Sequence, residues 1–116
     1  MSAAVYNFFI EQGATFQKTI TWKDSSGTAI NLTGYTARMQ FRRVVSATEV
    51  LFSATSSNGI IVLGGAAGTV AITIPATTTE AFAFVDAVYD LELQSSGGIV
   101  TRLMEGGVAV SKEVTR

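Results

Sequence analysis

Residues 88–116 read VYDLELQSSGGIVTRLMEGGVAVSKEVTR, and this stretch decides the fold class. With Ala87 in front of it, Tyr89, Leu91 and Leu93 fall on one side of an extended chain, while Val88, Asp90, Glu92 and Gln94 fall on the other. That is the period of a strand with one dry face. Ser95, Ser96, Gly97 and Gly98 then supply the turn chemistry of a hairpin. The returning strand is expected over 99–105, and a last strand over 108–111.

Upstream, residues 30–43 (INLTGYTARMQFRR) repeat the pattern. Tyr35, Ala37, Met39 and Phe41 point one way, and Thr36, Arg38, Gln40 and Arg42 the other. The turn before them centres on Leu32, Thr33 and Gly34, and an earlier one on residues 24–28 (DSSGT), where Asp and Ser side chains bond nearby amides. In residues 15–23 (TFQKTITWK), Phe16, Ile20 and Trp22 share a face with Lys18, which places that lysine at a rim or beside a bulge. Further strands are expected over 49–53 and 69–74, with Val70, Ile72 and Ile74 on one face. The apolar run 60–63 reads as buried on both faces. Pro75 ends a strand because it cannot donate a ladder hydrogen bond. Thr77 and Glu80 have capping-box spacing, so a short helix is expected over 77–84.

Strands at this spacing form an all-β sandwich or barrel. With no repeat or linker, residues 1–116 read as a single domain, whose end residues Met1 and Arg116 are expected to be tied down in an assembly. Charged residues make up 15% of the chain against a hydrophobic fraction of 47%, fewer charges than an ordinary monomer spreads over its surface. Part of the apolar surplus is therefore expected to meet other proteins. A net charge of −1 without a basic block argues against nucleic acid. The N-terminus lacks the basic start of a secretory signal, and no apolar segment has the length to span a bilayer.

Histidine and cysteine are both absent, which removes the commonest general base, the commonest metal ligand and the strongest neutral-pH nucleophile. The absence of thiols leaves the redox compartment open. No catalytic, cofactor or metal residues are expected. Asp90 and Glu92 share a strand face, as paired glycosidase carboxylates can, but more commonly such residues keep a sheet face wet. A hydrolytic site there requires a cleft around them. The run 59–68 (GIIVLGGAAG) lacks the lysine of a phosphate loop and leads into a strand, so it reads as a tight turn. Trp22, Tyr6, Tyr35 and Tyr89 could stack on a sugar, which makes carbohydrate binding an alternative. Their inward positions favour the core, and burial of Trp22 and Tyr35 is expected. Residues 5–10 (VYNFFI) are the exception, because Val5 and Phe9 are apolar on the face opposite Tyr6, Phe8 and Ile10. Phe8, Phe9, Phe82 and Phe84 are thus the candidates for a protein interface.

The stretches ITWKDSSGTAINLTGYTARMQFR (20–42), IIVLGGAAGTVAITI (60–74) with the Thr/Glu/Ala segment after it, and 88–116 carry a resemblance over nearly the whole chain. It resembles small virion structural proteins of tailed bacteriophages, cyanophages included, and more distantly the N-terminal domain of the upper baseplate protein of siphophages. The resemblance implies an immunoglobulin-like antiparallel β-sandwich of seven to nine strands. It further implies a non-enzymatic adaptor or attachment module of a tail, baseplate or fibre, or a capsid decoration (cement) protein. Such a protein is made in the host bacterial cytoplasm and ends in the virion, bound to other virion proteins and to copies of itself.

Overall fold

The computed structural model describes residues 3–115; Met1 and Arg116, on which the expectation of tied-down ends falls, lie outside them. Strands β1 (Ala4–Val5), β2 (Phe8–Glu11), β3 (Phe16–Thr21), β4 (Thr36–Arg42) and β5 (Phe52–Thr55) come first. They are followed by β6 (Ile61–Leu63), β7 (Thr69–Ile74), a four-residue helix α1 (Ala76–Thr79), β8 (Asp86–Gln94) and β9 (Val100–Ser111). The protein is an all-β sandwich. One sheet has six strands in the order β1-β9-β8-β4-β5, with β2 also on β9, and the other has three in the order β3-β7-β6. Taking β3 to β9 as strands B, C, C′, D, E, F and G gives B-E-D facing G-F-C-C′, a strand order of the immunoglobulin-like kind.

Alternation places the core. Ala37, Met39 and Phe41 of β4, and Ala87, Tyr89, Leu91 and Leu93 of β8, are buried, facing Val70, Ile72 and Ile74 of β7. Phe41 is the hub of the aromatic packing, with ring centroids of Phe52, Phe82, Phe84 and Tyr89 between 5.1 and 6.3 Å from its own. Trp22 and Tyr35 are partly buried against this core, edge to face at 87°. The expected turns form. Asp24 Oδ1 accepts from the amides of Ser26 and Thr28, and Gly98 at φ 91° closes the β8–β9 hairpin. Those bonds, the Ser26 hydroxyl first, hold the Asp24 carboxyl below its ordinary pKa. Lys18 does stand at a rim, its Nζ 4.1 Å from the Tyr6 ring centroid.

Four sequence expectations are corrected, and the partner of the N-terminal strand, which the sequence left open, is settled. Both β1 and β2 run parallel to β9 in one unbroken register, Ala4 opposite Met104 through Glu11 opposite Ser111. The last two expected strands are one, because Gly106 and Gly107 are not a gap between strands but the place where the Tyr6–Asn7 backbone lies against β9. The strand expected over 49–53 is Phe52–Thr55. Residues 60–63 are not buried on both faces: Ile61 is buried, yet Val62 on the edge strand β6 is 59% exposed. Finally, the helix ends at Thr79, and Pro75 rather than Thr77 stands at its N-cap with no side-chain cap. Beyond it Phe82 and Phe84 are buried while Ala83 and Val85 are exposed, the period of extended chain rather than of a helix.

Candidate interaction surface

The candidate phenylalanines separate cleanly. Phe8, Phe82 and Phe84 are no more than 6% exposed and belong to the chain's own core, which corrects their assignment to an interface. Their burial follows from alternation: Phe8 pairs with buried Val108 across the β2–β9 ladder. Phe8 also stacks on Tyr89 with centroids 4.2 Å apart and planes 14° from parallel. Phe9 is different. It is 78% exposed, and Val5, on the same outward face, is 75% exposed.

Several contacts fix the strand that carries these two residues. The Tyr6 amide donates to the Glu105 carbonyl at 2.9 Å, as a parallel ladder requires. The next ladder position is unusual, because the Gly107 amide donates at 2.9 Å to Asn7 Oδ1 rather than to the Tyr6 carbonyl. That carbonyl instead accepts from the Tyr89 hydroxyl at 2.7 Å. Burial pushes the Tyr89 phenol well above its ordinary pKa, with Tyr6 and Glu105 adding to the shift, so the hydroxyl stays a donor. Gly106 lies so close beneath that a Cβ there would run into the Tyr6 carbonyl.

Past β2 the chain is clamped again. Gln12 Nε2 donates to the carbonyls of Phe82 (3.0 Å) and Glu80 (3.3 Å), and Gln12 Oε1 accepts from the Glu113 amide at 2.8 Å. Thr79, fully buried, donates to the Ala14 carbonyl at 2.8 Å and accepts from the Gly13 amide at 3.1 Å. The roles of Asn7, Gln12, Thr79 and Gly106 were hidden in the sequence. An Asn amid apolar strand residues, and a Gly pair between two strand-like segments, were the available signals. Each acquires meaning only once β2 is known to lie beside β9.

The outer face of the six-stranded sheet forms an open trough of about 690 Å³, lined by Val5, Val45 and Val88 and by the charges of β4, β8 and β9. Arg38 Nε meets Glu92 Oε1 at 2.8 Å, and Arg102 bridges Asp90 (3.5 Å) and Glu105 (3.2 Å). Partial burial pushes the Asp90 carboxyl above its ordinary pKa, with Glu92 and Glu105 adding, while Arg102 and Arg38 oppose the rise. A concavity therefore does lie over Asp90 and Glu92, the shape that a hydrolytic site there requires. Each carboxylate, however, is held by a guanidinium. Arg42 Nη1 donates to the Ala47 carbonyl at 2.6 Å and so anchors the loop that carries Val45, which is 89% exposed.

Among the described residues, no group of three or more acidic side chains is placed to hold a metal ion, and no helix is long and apolar enough to cross a membrane. No protein-family model and no curated protein matches the chain.

Proposed function

We propose that this protein is a non-enzymatic structural component of a tailed-phage virion, an adaptor or attachment module of the tail, baseplate or fibre that works through protein–protein contact. The observation that carries the reading is Phe9, a large apolar side chain 78% exposed on a strand whose position is fixed by buried neighbours on its other face. Large apolar groups held rigidly in water mark contact sites when they gather with others, and Val5 lies on the same strand. The missing imidazole and thiol, and the arginine-paired state of Asp90 and Glu92, support a binding rather than a catalytic role. The resemblance read from the sequence supplies the virion context. Capsid decoration is the alternative within the same class.

Carbohydrate recognition finds less support. Trp22 and Tyr35 pack edge to face against the core rather than as a coplanar exposed platform. The test is fractionation of purified particles from a phage that encodes the chain. Recovery with tails or baseplates is expected, recovery with heads favours the decoration alternative, and absence from particles refutes the reading.

A further inference from the structure

Among the described residues, the N-terminal strand leaves one backbone edge without a ladder partner, because β1 and β2 pair only with β9. In a parallel ladder, alternate residues turn both N–H and C=O toward the neighbouring strand, and the residues between turn theirs away. The amides of Tyr6 and Gln12 donate to Glu105 and Ser111 of β9. The even-numbered residues therefore face β9, and Val5, Asn7 and Phe9 present their backbone groups to the open side, while the Glu11 carbonyl is taken by the Ala14 amide at 3.1 Å.

Folded proteins blunt such edges with lysine, proline, short length or inward-pointing charge. The other edges of this sandwich obey that rule. β5 has four residues, β6 has three, and β3 carries Lys18 on its inward face. The N-terminal edge is split into strands of two and four residues, but these keep one register from Ala4 to Glu11, with no proline and no charge before Glu11. It also presents Val5 and Phe9, 75% and 78% exposed.

We propose that this edge pairs with the same edge of a second copy, in antiparallel register across a two-fold axis at Asn7. The inference rests on the reading of the chain as an assembling protein and names the surface it uses. Two identical strands related by a two-fold axis must run antiparallel, with residue i opposite j and j opposite i. Centred on Asn7, Val5 meets Phe9 of the partner subunit and Phe9 meets Val5 of the partner subunit. All three facing pairs are then of the hydrogen-bonded type, giving about six new backbone bonds. Shifting the axis to Phe9 sets Asn7 against Glu11 and leaves Val5 without a partner, and the register between the two sets Val5 against Glu11. Of these three registers, the Asn7-centred one alone joins both apolar residues to apolar residues without opposing like charges.

The test uses the purified chain in sedimentation equilibrium, with disulfide trapping in a protein that has no cysteine of its own. A monomer–dimer equilibrium is expected, with Phe9→Lys raising its dissociation constant about tenfold or more. The double variant Val5→Cys/Phe9→Cys is expected to oxidise to a covalent dimer, since facing hydrogen-bonded residues stand about 5.5 Å apart at Cα, within disulfide reach. Phe9→Cys alone is expected to stay unlinked. A monomer at every concentration, a dimer indifferent to Phe9→Lys, or equal cross-linking of the single and double cysteine variants overturns the pairing. Any of these leaves the particle fractionation result standing, so the two readings fail separately.

Discussion

At the residue scale, two buried hydroxyls hold the N-terminal strand and the turn after it. Tyr89 reaches across the core edge to the Tyr6 carbonyl. Removing only that oxygen in Tyr89→Phe is expected to cost about 1 kcal/mol in chemical denaturation, the usual net worth of a hydrogen bond. The same phenol makes stability pH-dependent. Its pKa in the folded protein lies above the ordinary value of about 10, so above that pH the native state holds more protons than the unfolded chain. Stability is therefore expected to be complete below about pH 10 and to fall as pH rises beyond it, with a shallower fall in Tyr89→Phe; an identical slope in both proteins would refute the assignment. Thr79 is the second hydroxyl. Thr79→Val keeps the shape but leaves the Gly13 amide and the Ala14 carbonyl without it, for an expected loss of about 1–3 kcal/mol in the same measurement.

At the scale of elements, the N-terminal strand depends on glycine where it crosses Gly106. Gly106→Ala sets a methyl against the Tyr6 carbonyl, and overpacking of this kind costs about 1–3 kcal/mol. Hydrogen exchange is expected to find the amides of Tyr6 and Phe8 deprotected in that variant while β4 and β8 keep their protection. Uniform loss of protection would mean that the strand is not a separable element. How much of this was legible in the sequence depended on how local each signal was. The strands β4 and β8 declared themselves because the period-two pattern lies within one run of residues, and the turns at Asp24 and Gly98 because their chemistry is confined to five residues or so. The parallel union of β1 and β2 with β9 spans a separation of 100 residues and leaves no local trace, so the Gly106–Gly107 pair read as a gap between two strands. The helix misled for a related reason. Capping-box spacing is a local signal, but tertiary burial of Phe82 and Phe84 demands alternating, extended chain from residue 82 onward and outweighs it. Phe9 was legible as an anomaly, since its alternation contradicts a one-faced strand, whereas Phe8, Phe82 and Phe84 acquired their place only from the assembled core.

At the scale of the molecule, the sandwich is elongated, 45 Å along its principal axis against 28 and 25 Å, and one continuous core joins its two sheets. Six of the seventeen charged side chains gather on one face. Arg38, Arg42, Arg102, Asp90, Glu92 and Glu105 all line the outer trough, and most of them pair with one another across β4, β8 and β9. Exposed pairs of this kind set register and wet the face while adding at most about 1 kcal/mol each. The N-terminal edge is left apolar by contrast, and in the proposed function it is there that the protein meets other proteins.

That division of labour gives the central claim its sharpest form: Phe9 serves assembly and not folding. Under the proposed virion role, the deciding measurement is the amount of this chain in purified particles of a phage that encodes Phe9→Asp, set beside the denaturation midpoint of the isolated variant. At concentrations where the wild-type chain is monomeric the account predicts an unchanged midpoint, because the Phe9 side chain is exposed to water in the folded as in the unfolded chain, together with particles depleted of the chain. Particles carrying the variant at the wild-type level would contradict it.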